Sequence, residues 1–155
     1  MPSIIPPKLK SFIEGPQGMS LGTRDLNLEP EYCRVLGAVV MENDIVKIFV
    51  AKSSSNQSIK NIADNKLVSI TLRSALNFEC YQFKGKCVHY EDSNNEDQGR
   101  VEKYMTEFNE SIVKAGVEDG VVYKWPTKPC ITIEMNVEEL YDQTTKIVAG
   151  NKITG

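Results

Sequence analysis

The chain has 155 residues, 41% of them hydrophobic and 25% charged, with a formal net charge of −3 at pH 7. That length allows one domain, expected to span residues 1–155 and to bury roughly 70% of the unfolded chain's surface, and with an ordinary composition disorder is not the default. The acidic balance lacks the basic field of a general nucleic-acid binder, and no apolar run approaches the ~20 residues of a membrane helix.

The opening "MPSIIPPKLKSF" has none of the ordered basic, apolar and small-residue regions of a signal peptide, so a cytoplasmic protein is expected. "PPKLKSFIEG" reads as a short helix ended by Gly15-Pro16. An early strand, "GMSLGTRD", follows. "YCRVLGAVVM" and "IVKIFVA", separated by the turn "ENDI", form a hairpin pattern.

The stretch "FVAKSSSNQSIKNIADN" then runs from a strand through small, polar residues into a helix. Locally, Ser54 or Ser55 caps that helix and the rest is solvated loop. The other reading is a bed for an anion, since a helix N-terminus offers free N–H groups and a positive dipole end. Lys52 and Lys60 supply charge nearby, and Ser53, Asn56 and Ser58 supply donors. Arg34 bears on the choice. It stands among the apolar residues Val35, Leu36, Ala38, Val39 and Val40, where a charge is unusual without a partner. It is either a surface residue of an edge strand or a second contact for the same anion.

"LVSITL" places Val68, Ile70 and Leu72 on one face, and "ECYQFKGKCVHY" alternates with period two around Gly85, which marks a bulge or close backbone approach. Ser93 to Glu96 fits a capping box opening a helix, with Val101, Tyr104, Met105, Phe108 and Ile112 on its apolar stripe. "CITIEMNV" is the final strand. About six strands, mostly joined by hairpins, with a few helices, predict a mainly β chain closed or nearly closed into a barrel with helices on its rim.

Enzyme templates are absent: the sequence contains no G-x-G-x-x-G, P-loop, G-x-S-x-G or H-E-x-x-H. His89 is the single histidine, and Cys33, Cys80, Cys87 and Cys130 have no CxxC spacing. The cysteines read as small core residues, no metal site is expected, and no catalytic acid or base can be assigned.

In the order of its parts the chain resembles the pyridoxamine 5′-phosphate oxidase-like family of FMN-binding split barrels. The elements that carry the resemblance are "MSLGTRD", "CRVLGAVV", "IVKIFVAKS" with "KNIADNKLVSI", and "YQFKGKCVHYED", with a weaker echo over 129–150. The resemblance implies a six-stranded antiparallel split β-barrel with peripheral helices. It also implies a homodimer with FMN between the subunits and a small-molecule substrate. Arg34, Val35 and Leu36 would meet the flavin, and Lys52, Ser53, Asn56, Gln57 and Ser58 would hold its phosphate. Gln82 stands near the position, Cys80 here, from which family members offer a glutamine to the neighbouring subunit.

This sequence departs from that pattern where many members carry Ser-Arg-Lys, a run that falls on Asn56-Gln57-Ser58. Lys60 is displaced from Ser58 by about 200° around the helix and is an imperfect substitute. Each missing charge-assisted contact is worth roughly 1.5–3 kcal/mol. The tail "ELYDQTTKIVAGNKI" also lacks the Trp and Arg by which the oxidases read their vitamin substrate. A flavin-dependent oxidoreductase is therefore expected, with a non-catalytic module holding flavin, deazaflavin or haem as the alternative.

Overall fold

The structure, a computed structural model, describes residues 3–145 and 152–154. It is mainly antiparallel sheet with few helices. In chain order come helix α1 (Pro7–Ile13), strands β1 (Gly18–Arg24), β2 (Pro30–Val35), β3 (Ala38–Val40) and β4 (Ile45–Ala51), then helix α2 (Asn56–Asn65). Strands β5 (Leu67–Arg73) and β6 (Cys80–Asp92) precede the long helix α3 (Asn95–Lys114), and β7 (Cys130–Asp142) and β8 (Lys152–Thr154) close the series. No helix among the described residues is long and apolar enough to cross a membrane.

The sheet runs in the order β2-β1-β5-β6-β7-β4-β3, with β8 added beside β7. The single strand expected over "YCRVLGAVVM" is in fact two, because the chain bends at Leu36-Gly37. Gly37 takes φ 129°, a conformation costly for any residue with a Cβ. The bend hands the chain from one partner to another. Before it, Arg34 pairs with Ser20 on β1; after it, Ala38 pairs with Ile48 on β4. Leu36 N–H donates to the Phe49 carbonyl at 2.7 Å, and Phe49 N–H to that of Gly37 at 3.2 Å. The two terminal strands of the sheet are thus one stretch of chain.

Period-two patterning places Leu21, Val46, Ile48, Ile70, Leu72, Phe83, Ile133 and Met135 in the interior, all fully buried. Helix α1 starts on Pro7, which lacks an N–H that would go unbonded there, and seats Leu9 and Ile13 in the same core. Helix α3 carries the expected apolar stripe. Its cap is one residue later than the predicted box: the Asn94 side chain accepts the Asp97 N–H at 2.8 Å, while Glu96 pairs with Arg100 at 3.1 Å. Asp97 is buried at the helix start, where it accepts from Arg100 at 2.8 Å and Thr132 at 2.9 Å. It binds α3 to β7.

The close backbone approach expected at Gly85 is present: the β6–β7 register shifts between Lys84 and Gly85, with the extra residue, Glu138, on β7. A Cβ on Gly85 would collide with the backbone carbonyl of Asn136, which no side-chain rotation can relieve. Gly85→Ala is therefore expected to cost at least about 2 kcal/mol of stability. Urea denaturation checks this, and an unchanged midpoint would contradict the close approach.

Candidate functional site

The β2 bend brings the end of β2 beside the end of β4. A recess of about 230 Å³ opens there, lined by Tyr32, Cys33, Arg34 and Leu36 from the β2 side, Ala51 and Ser54 from the β4 side, and Trp125-Pro126 from the segment before β7. No carboxylate or imidazole is among these. The Arg34 side chain is exposed and has no hydrogen bond or ion pair among the described residues. Its Cζ lies 3.8 Å from the centre of the Trp125 indole.

Below Arg34 the chain passes through a 3-10 turn, Lys52–Ser54, into α2. Ser55 occupies the cap position, yet its side chain makes no capping bond; the hydroxyl reaches back to the Lys52 carbonyl at 3.4 Å. The predicted Ser cap is thus present in place and absent in chemistry. No side chain caps the first N–H groups of α2.

The structure separates the remaining predicted residues. Val35 and Leu36 are buried, and the Leu36 amide is spent on Phe49. Lys52 turns to Asp92, with Nζ 3.0 Å from the carboxylate. Gln57 donates to Asn61 at 2.9 Å. Ser58 faces inward, fully buried, with its hydroxyl 3.6 Å from the Cys33 sulfur. Burial pushes the Cys33 thiol up, partly offset by that hydroxyl and reinforced by Glu31. Ser53, Asn56 and Lys60 are exposed with no side-chain partner among the described residues. Of the polar run, then, Ser53 and Asn56 stay open at the helix mouth, and Ser54 lines the recess itself.

Gln82 is elsewhere on the same sheet surface. Register carries one row of outward positions from Arg34 to Ser20, Thr71, Gln82 and Tyr141. Three interstrand steps put Gln82 about 14 Å from Arg34. A ligand end held by Arg34 is therefore out of Gln82's reach in the same direction. Beside this row lies a broad, shallow depression of about 1000 Å³, whose Arg24, Lys84, Glu31, Glu138 and Glu139 mix both signs of charge. That mixture gives no anion preference, and the small recess at Arg34 is the better-defined candidate.

The sequence matches no protein-family model and no curated protein. Solved structures do match. HupZ from Group A Streptococcus superposes with a TM-score of 0.56 at 16% identity, covering 95% of this chain and 98% of that one. An F420 reductase gives 0.57 at 12% identity, over 88% and 98% of the respective chains. A general stress protein 26-related protein of the pyridoxinephosphate oxidase family, from Clostridium acetobutylicum, gives 0.51 at 10% identity, over 88% and 84%. The chain has the fold of the pyridoxamine 5′-phosphate oxidase-like split barrels.

Within this split barrel, several lining residues were passed over by sequence reasoning, Tyr32, Ala51 and Trp125 among them, and Trp125 is the one that touches Arg34. It is the chain's one tryptophan and is followed by proline just before the last long strand, a signal visible in "YKWPTKP". Part of the tail thought to lack the oxidases' substrate-reading residues, 146–151, lies outside the described residues.

The inward side chain at position 58 has a direct consequence. Ser58→Lys would drive an ammonium group against Cys33 and is expected to destabilise the split barrel by about 3 kcal/mol or more. Asn56→Lys, at an exposed position, should stay within about 0.5 kcal/mol of the wild type. Paired urea titrations read both, and a neutral Ser58→Lys would mean the α2 register is misassigned.

Proposed function

We propose that this protein binds FMN in a cleft shared by two copies of the chain and acts as a flavin-dependent oxidoreductase on a small molecule. The observation that carries the reading is Arg34: an exposed guanidinium with no anionic partner among the described residues, at the edge of a recess beside an uncapped helix start. Its fit is to a phosphate. Arg34, Ser53, Ser54 and Asn56 are the side chains that would receive it, with the first α2 amides. The fold likeness to the pyridoxinephosphate oxidase family supports the same cofactor.

A recess of about 230 Å³ is smaller than the ~300–1,000 Å³ usual for a whole cofactor. One copy would hold the phosphate end, and a second would complete the cleft. The outer row of Ser20, Thr71 and Gln82 is half-buried, and two copies meeting there would bring Gln82 to the partner's side of the cofactor. When bound, FMN supplies reversible electron transfer that no side chain here supplies. The polypeptide's part is to bind and orient it and, through Leu36, Ala51 and Trp125, to keep water off one side.

A non-catalytic module of the same fold is the second reading, favoured by the absence of any carboxylate or imidazole in the recess lining. Such a lining can hold a cofactor without moving a proton. A deazaflavin in place of the flavin is a variant of either reading, and the fold likeness to an F420 reductase supports considering it. Haem fits less well, because His89 is exposed, lies outside the recess and sits 3.4 Å from Glu91.

The visible spectrum of the purified protein, before and after FMN addition and desalting, is expected to show retained flavin bands. Release of all added FMN would overturn the proposal, and a sharp haem band would replace the cofactor. Arg34→Ala should weaken FMN binding about tenfold and Asn56→Lys, restoring a charge at the helix mouth, should tighten it by a similar factor. Affinity indifferent to both would remove the anion site. Light scattering should give a dimer; a monomer at micromolar concentration would remove the shared cleft.

A further inference from the structure

Arg34 is held from one side. The indole it covers belongs to an aromatic series: Trp125 packs on Phe108 with ring centres 5.8 Å apart, and Phe108 stacks on Tyr104 at 5.4 Å. Tyr104 and Phe108 are one turn apart on α3, and the Tyr104 hydroxyl is anchored on the Gln17 carbonyl at 2.6 Å. The segment carrying Trp125 is tied to the same helix on both flanks. Gly120 N–H donates to the Asn109 side chain at 3.0 Å, and Gln98 donates to the Thr127 carbonyl at 2.6 Å. Between these ties a 3-10 turn, Val121–Lys124, is closed by Trp125 N–H on the Val122 carbonyl at 3.1 Å. The indole therefore has its place set by α3.

A guanidinium stacked through its face keeps its N–H groups free in the plane, where they form the fork that suits a phosphate. An unstacked arginine on an exposed strand samples many rotamers and loses that freedom on binding. Stacking removes part of the loss beforehand. The effect matters here because Asn56, Gln57 and Ser58 bring no charge and Lys52 is paired with Asp92, which leaves Arg34 as the one cation among the described residues lining the recess.

We propose that Trp125 is a positioning residue for anion binding, holding the Arg34 guanidinium by its face so that its N–H edge receives the phosphate of a phosphomonoester. The identity of the ligand, FMN, rests on the proposed function; the positioning is a property of the chain alone.

The test uses isotope-labelled wild type, Trp125→Leu, Trp125→Phe, Arg34→Ala and the Arg34→Ala/Trp125→Leu double variant. The NMR signal of the Arg34 side-chain N–H is followed, and FMN and riboflavin affinities are measured on each protein. In free wild type the indole ring current should displace the Arg34 signal, and Trp125→Leu should return it to an ordinary position. FMN affinity should fall about fivefold in Trp125→Leu, riboflavin affinity should hold, and Trp125→Phe should recover most of the loss. The double variant should lose no more FMN affinity than Arg34→Ala alone. Additive losses, an undisplaced Arg34 signal, or an equal loss of riboflavin binding would reduce Trp125 to packing and overturn the inference. Wild type that ignores FMN defeats the flavin reading alone. The positioning role is then upheld if inorganic phosphate shifts the Arg34 signal in wild type but not in Trp125→Leu, and overturned by any other pattern.

Discussion

Everything distinctive about this molecule follows from a backbone bend at Leu36-Gly37. A β-strand can pair on only two edges, so a sheet wrapped around one core needs a segment that serves both of its ends. Here β2 pairs with β1, the chain turns through Gly37 at φ 129°, and β3 pairs with β4. The bend is tightly lined, since a Cβ on Gly37 would lie 3.2 Å from the Phe49 ring. It also places the outward side of β2, with Arg34, next to the point where β4 gives way to α2. The recess is a by-product of one stretch of chain serving both ends of the sheet.

Helix α3 is the second organising element, and its role is one of placement. Asp97 is buried yet fully engaged, accepting from Arg100 and Thr132 with Lys47 at 3.8 Å. Ion pairing around one buried carboxylate, with partners that reach solvent, adds little net stability compared with apolar packing. What it does is set where the helix starts against β4 and β7. From that start, the stripe of Tyr104 and Phe108 meets the core, and Asn109 and Gln98 take hold of the segment that carries Trp125. A local charge arrangement is thereby passed along a rigid helix to the wall of the recess.

The polar run at α2 shows how far hydrogen-bonding capacity can be read without a fold. The helix was foreseeable from "SIKNIADN", and so was a collection of donors at its mouth. Their directions were not. A helix turns about 100° per residue, so neighbours in the run face different ways. Ser58 and Asn61 point into the body of the protein, toward Cys33 and Thr23, whereas Asn56 stays outside. Lys52 is drawn off by Asp92, forty positions away in the chain. The capping residue at α3 was likewise displaced by one position, because Asn94 competes with Ser93 and only backbone geometry decides between them.

By itself the sequence determined the alternation of the strands, the apolar stripe of α3, the close backbone approach at Gly85, the oddity of Arg34 and, through the order of its parts, the split-barrel fold. All of these depend on local periodicity or on backbone chemistry that a single residue type reports. The tertiary structure alone decided that "YCRVLGAVVM" is two strands, that Arg34 and Gln82 share one outward row, and that Trp125 covers Arg34. Each depends on pairing or packing between residues far apart in the chain. Arg34 and Trp125 are separated by most of the sheet in sequence, and no pattern within either segment records the other. Their meeting is set by strand register and by the anchoring of α3, which exist only once the core has formed.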